Sequence, residues 1–145
     1  MFKMKSYHIL LLFFCLFSSC TCGNFQVIGK VKNYSQNRVI VLVSSCRTIN
    51  DEFFSVDGRF FYVFPNSEED ISAESFVYPD SCNLYIYFFD ADRVDSLFSK
   101  TVLSANKIYR KTIIANSSFS KERALKKNIN FSIDSSMVVY YQNHN

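Results

Sequence analysis

The sequence predicts a mainly β domain: an antiparallel β-sandwich with one or two short helices in the C-terminal third. Three observations predict it. Short runs of β-branched and aromatic residues recur between turn-forming clusters. An Asp57-Gly58 pair separates two apolar runs, the strongest short hairpin signal, because both turn positions need positive φ. Helical spacing of apolar residues is confined to the stretch after Asp90. The chain has 145 residues, room for one domain.

The elements follow in order. Phe25 to Lys32 alternates apolar and polar residues for most of its length, as a half-buried strand does. Asn33-Tyr34-Ser35-Gln36-Asn37 is a polar turn. Val39-Ile40-Val41-Leu42-Val43 is continuously apolar and reads as a central strand covered on both faces. Phe53–Val56 and Arg59–Phe64 flank Asp57-Gly58, and Pro65-Asn66 ends that hairpin. Ser67 to Ser75, with Glu68, Glu69, Asp70 and Glu74, reads as a solvated acidic loop. Phe76-Val77-Tyr78 is a short strand stopped by Pro79-Asp80. Leu84 to Phe89 is a second strand buried on both faces. Asp90 to Ser104 forms a helix with Val94, Leu97 and Phe98 on one face. Lys107 to Ala115, carrying Ile108, Tyr109, Ile113 and Ile114, reads as a strand. Ser120 is the N-cap of a helix ending near Lys127, with Glu122 in its first turn and Lys126 and Lys127 in its last, as the helix dipole favours. Ile129 to Ile133 alternates and closes the domain. Met137 to Tyr141 is an edge strand or a tail.

Residues 1–22 are set apart as an export signal. Lys3 and Lys5 supply positive charge, and Ile9 to Phe17 is an apolar run. Nine residues fall far short of the roughly 20 a helix needs to span hydrocarbon. Two cleavage routes compete. Phe17-Ser18-Ser19-Cys20 looks like a lipobox, in which the Cys20 thiol receives a diacylglyceryl group. The alternative is ordinary cleavage near Cys20-Thr21-Cys22, with a soluble product. The first is favoured, since charge, apolar run and cysteine all fall where lipidation needs them. Each buried CH₂ of an acyl chain contributes about 0.8 kcal/mol, so several palmitate-like chains anchor without a transmembrane helix. The resulting plan is a signal over 1–19, an anchor and tether over 20–24, a globular domain over 25–134 and an edge strand or tail over 135–145.

Composition excludes more chemistry than it suggests. The only histidines are His8, in the signal, and His144, next to the last residue. The usual general base is missing from the domain, and no Ser-His-Asp or Cys-His arrangement can be built in it. No C-x₂-C pair exists for zinc. The three glycines, Gly23, Gly29 and Gly58, make no phosphate-binding loop. Three features remain. Asp90, Asp92 and Asp95 supply hard oxygens suited to calcium, but lack the rest of an EF-hand loop, so helix capping and solvation are the favoured reading. Cys46 and Cys82 would form a disulfide in an exported chain, or remain two buried thiols. Twenty Phe and Tyr residues follow residue 19. Core filling accounts for most of them, with Tyr140 and Tyr141 the exposed pair that would stack a sugar or dock a peptide.

Charge is segregated. Residues 20–50 carry Lys30, Lys32, Arg38 and Arg47 and no acid, residues 51–95 carry eleven acids and two bases, and residues 100–127 carry eight bases and one acid. These blocks either meet and neutralise one another or leave a bipolar surface for a charged partner or anionic lipid. Without Lys3 and Lys5 the chain holds 14 bases against 13 acids, a balance that does not suggest nucleic-acid binding.

The order of motifs resembles the small exported lipoproteins of Bacteroides-type bacteria, a family without an assigned activity. The resemblance rests on the cysteine-ended signal, Lys32-Asn33-Tyr34-Ser35, the run Leu84-Tyr85-Ile86-Tyr87-Phe88-Phe89-Asp90-Ala91-Asp92-Arg93-Val94, Ile108-Tyr109-Arg110-Lys111, and the Ser118–Lys127 helix leading into Asn128–Ile133. Such proteins often carry Trp where this chain has Phe131, and a Tyr-Pro after that strand which this chain lacks. The Phe25–Lys32 strand and Val56-Asp57-Gly58-Arg59-Phe60 are also similar to β-sandwich modules that precede thioredoxin-like domains in related lipoproteins. Neither resemblance implies a catalytic residue or a cofactor. The expectation is a non-enzymatic protein of the cell envelope, held to the outer membrane through acylated Cys20, with an envelope protein or glycan as partner. A periplasmic or secreted inhibitor or adhesin-type factor is the alternative.

Overall fold

The computed structural model describes residues 25–45, 47–49, 59–74, 83–126 and 128–142. Two four-stranded sheets face each other, and a pair of helices covers the outer face of one of them. The first sheet contains β1 (Phe25–Asn33), β4 (Glu68–Glu74), β7 (Ile129–Ile133) and β8 (Val139–Gln142), in the order β4-β1-β7-β8. The second contains β2 (Val39–Ser44), β3 (Arg59–Val63), β5 (Asn83–Asp90) and β6 (Ile113–Ser120), in the order β3-β2-β5-β6. All pairings are antiparallel except β1 with β7, which run parallel. The helices are α1 (Ala91–Lys100), α2 (Ala105–Thr112) and α3 (Lys121–Leu125). The predicted β-sandwich is the observed class.

Strand periodicity explains the layers. In β2, Val39, Val41 and Val43 point between the sheets, where they meet Val31, Ile71, Phe88, Phe131 and Ile133. Ile40 and Leu42 point the other way, into a second cluster with Tyr87, Phe89, Val94 and Ile108 under α1 and α2. Every residue of β2 is therefore buried, and an unbroken apolar run is what such a strand requires. The same holds for most of β5. Among the described residues, sheet β4-β1-β7-β8 is covered on one side only. Its outer face is polar, with Lys30 and Lys32 on β1 beside Glu68 and Asp70 on β4.

Three predicted elements need correction. Ser67–Ser75 is not a loop: Glu68–Glu74 forms edge strand β4. Ile71 and Ala73 face the core, and Lys30 offsets the acids with Nζ 2.8 Å from Glu68 Oε1 and 3.9 Å from Asp70 Oδ1. Outward charge on an edge strand also discourages pairing with other chains. Lys107–Ala115 is not one strand: α2 runs to Thr112 and β6 starts at Ile113. Ile108 and Thr112 are both buried, four residues apart on one helical face, while Lys107, Arg110 and Lys111 are exposed. The α1 helix is shorter than predicted, stopping before Thr101, and Phe98 stays half-exposed. The predicted Phe53–Val56 and Phe76–Tyr78 strands and the Asp57-Gly58 turn lie outside the described residues.

The turns follow their residues. Asp90 and Ser120 cap α1 and α3 as expected, accepting from the N–H groups of Arg93 and Arg123. Pro65 and Asn66 carry the chain from one sheet to the other, with Asn66 at φ 57° and Ser67 N–H donating to Phe64 O at 3.1 Å, a proline-asparagine pair placed as in a type II turn. Asn33 is fully buried beside that turn. Its Nδ2 donates to Asn37 O at 2.8 Å and Val63 O at 3.1 Å, and its Oδ1 accepts from Ser35 N–H at 2.9 Å. One side chain thus ties the β1–β2 connection to the end of β3. Gly29 sits at an irregularity in β1, where its backbone lies against Ile129 of β7.

Candidate binding surface

Among the described residues, the second sheet's outer face is only partly roofed. The α1–α2 pair lies over β2 and β5, and β3 at the edge extends beyond it. Phe61 and Val63 of β3 turn inward, which sends Phe60 and Tyr62 outward. Phe60 is 53% exposed, Tyr62 37% and the following Phe64 54%. Across the rim of the roof stand Phe98 of α1 and Tyr109 of α2, their rings 6.1 Å apart. Tyr109 rests edge-on against buried Phe89 at 5.0 Å. Its half-buried hydroxyl is pushed above the ordinary phenol range, first by burial and then by Tyr62 and Asp95 nearby. Exposed rings on one continuous face exceed what scattered surface hydrophobics require.

Arg38 organises the polar part of this face. Its Nε donates to Asp92 Oδ1 at 2.8 Å, its Nη2 lies 2.7 Å from Asp92 Oδ1 and from Asp95 Oδ2, and its backbone N–H donates to Asp92 Oδ2 at 3.1 Å. The guanidinium is held more firmly in its charged form, chiefly by Asp92 and then by Asp95. Its Cζ lies 5.9 Å from the Tyr62 ring, within cation–π range. These side chains are about half-exposed, so the pair contributes little to stability. What it does is fix a planar donor group and two carboxylates beside aromatic rings.

The predicted site residues distribute as follows. Cys20, Cys46 and Cys82 lie outside the described residues. Asp90 caps α1, while Asp92 and Asp95 close on Arg38, so a guanidinium stands between the carboxylates proposed for calcium. No group of three metal-ligating side chains occurs among the described residues. Tyr140 and Tyr141 are not an exposed pair, because neighbouring strand residues face opposite sides. Tyr140 is exposed and donates to Asp134 Oδ2 at 3.2 Å. Tyr141 packs on Phe119 and Phe131 and accepts from Arg123 Nη2 at 3.0 Å. The charge blocks meet in part. Lys30 and Arg38 pair with the acidic block, whereas Lys100, Lys107, Arg110 and Lys111 make no ion pair with a described residue. Sequence reasoning missed Tyr62, Phe98, Tyr109 and Arg38 as one group. The available signal was the alternation of Phe60, Tyr62 and Phe64, which leaves both faces of an edge strand apolar.

No described helix is long and apolar enough to cross a membrane. Comparison with protein-family models, with curated proteins and with solved structures finds no match.

Proposed function

We propose that the chain is a lipid-anchored protein of the cell envelope that works by binding, not catalysis. Lipidation at Cys20 would hold it to the outer membrane, with residues 21–24 as a tether ahead of β1. The observation that carries the binding role is the exposed rings of Phe60, Tyr62 and Phe98, with half-buried Tyr109 against Phe98, set beside Arg38 in a domain whose body holds no histidine. Flat rings bury area at small entropic cost, and a fixed guanidinium–carboxylate group supplies oriented hydrogen bonding beside them. Such a face suits an envelope glycan or an envelope protein.

Two measurements test this reading. The intact mass of native protein extracted from membranes should equal residues 20–145 plus glyceryl and acyl groups. An unmodified mass beginning near Gly23 or Asn24 would overturn the anchor and favour a soluble secreted factor. The full chain in neutral detergent should bind a purified envelope glycan or protein fraction, and Tyr62→Ala with Phe98→Ala should weaken that binding at least tenfold. Unchanged binding in the folded double variant would remove this face from the function.

A further inference from the structure

A second feature lies on the same sheet, toward β6. Arg47 and Thr48 follow β2, Arg110 stands near the end of α2, and Asn116 belongs to β6. Together with Ile49, Tyr87 and Ile113 they line a cleft of about 330 Å³, near the small end of the range for ligand pockets. Among the described residues its only lining charges are two guanidiniums, and no described carboxylate lines it. Neither arginine makes an ion pair with a described residue. Arg110 is nevertheless fixed, since its Nε donates to the Ile49 carbonyl at 2.6 Å. That bond anchors the guanidinium to the segment carrying Arg47 and leaves the Nη groups uncommitted to it.

We infer that this cleft is a site for a small oxyanion, a phosphate or carboxylate group attached to a compact apolar body. Two like charges sharing one cleft repel each other until an anion is placed between them. The planar fork of arginine matches such an anion with two parallel hydrogen bonds, which a lysine ammonium cannot do. Thr48 and Asn116 add neutral hydrogen-bonding groups, and Ile49, Tyr87 and Ile113 supply an apolar wall for the rest of the ligand. The cleft is separate from the aromatic face around Arg38, where carboxylates already occupy the guanidinium.

Amide NMR of the full chain in neutral detergent tests this with phenyl phosphate as the probe. Saturable shifts are expected at Thr48, Ile49, Tyr87, Arg110 and Asn116, with inorganic phosphate binding at the same amides more weakly. Arg47→Gln should weaken phenyl phosphate binding at least tenfold. That side chain is exposed and holds no described partner, so the fold should survive its loss. Arg110→Lys keeps the charge and should still lose affinity, since it lacks the fork. A parallel sample in nanodiscs containing phosphatidylglycerol distinguishes the source: shifts at the same amides without phenyl phosphate assign the oxyanion to a lipid headgroup. Absence of saturable shifts in both samples, or shifts unchanged in Arg47→Gln, overturns the site.

Discussion

Replacing Gly29 with alanine should be the most damaging single-methyl addition in the described fold. A Cβ at this position would lie 1.7 Å from the Ile129 carbonyl oxygen, 2.5 Å from its carbon and 2.9 Å from its Cα. All three are backbone atoms, so no side chain can swing aside. Restoring a 3.0 Å approach moves β7 away from β1 by about 1.3 Å. Backbone hydrogen bonds of about 2.9 Å would then stretch past 4 Å and cease to count. Two or three such bonds at about 1 kcal/mol each give 2–3 kcal/mol. Displacing buried Ile129 and Phe131 adds about 1–3 kcal/mol of packing strain. The stiffer unfolded chain returns about 0.4–1 kcal/mol. The net loss should be about 2–5 kcal/mol, a large share of ordinary domain stability. Urea denaturation of the full chain in neutral detergent, followed by far-ultraviolet circular dichroism, measures it. A loss below about 0.5 kcal/mol would refute the tight β1–β7 approach, since that is the size of a neutral surface change.

Three further outcomes are expected. Asn33→Ala removes two donors and an acceptor from a fully buried corner, and should cost about 2–3 kcal/mol in the same denaturation; a loss under about 1 kcal/mol would mean the network is dispensable. Phe131→Ala opens a cavity among Phe88, Phe119 and Tyr141 and should cost about 3–5 kcal/mol, with loss of near-ultraviolet tyrosine dichroism; a smaller effect would show that the core collapses freely around it. Asp134 accepts from the N–H groups of Val138 and Ser136 and from Tyr140 Oη, which hold its carboxyl below the ordinary range, Val138 foremost. Its contribution is present above the unfolded carboxyl value of about 3.9 and is lost as pH falls through the lower folded value. Wild-type protein should therefore lose more stability between pH 5 and about pH 2 than Asp134→Ala does, and parallel acid titrations of the two chains would contradict this.

Buried strands were legible because burial on both faces leaves a continuous run. Val39–Val43 and Leu84–Phe89 announce that they are covered twice, and the helical layer supplies the second cover. Acidic β4 was illegible because only Ile71 and Ala73 report burial, and its strand form comes from pairing with β1. Over Lys107–Ala115, β-branched Ile108 and Ile113 suggested one strand, whereas the buried Ile108–Thr112 stripe makes the part up to Thr112 a helix. Local chemistry carried the caps at Asp90 and Ser120, since a cap is decided within four residues. The aromatic–arginine face was hidden for the opposite reason: Arg38 meets Asp92 and Asp95 across 54 and 57 positions. Composition offered the acids as a cluster, and only the fold revealed which cation they serve.

The parallel pairing of β1 with β7 has a kinetic consequence. Lys30 N–H meets Asn130 Oδ1 across 100 residues of chain, and no shorter connection can place β7 beside β1. A polypeptide emerging amino-terminus first, from a ribosome or through a translocation channel, has β1 and β4 in hand early. It cannot complete their sheet until residues 129–142 are free. Closing so long a loop slows folding more than it weakens the finished domain. Until then Val31 and Ile71 have an incomplete core against which to pack. The topology thus leaves the first sheet, and the core it shares with the second, unfinished until β7 and β8 have joined it.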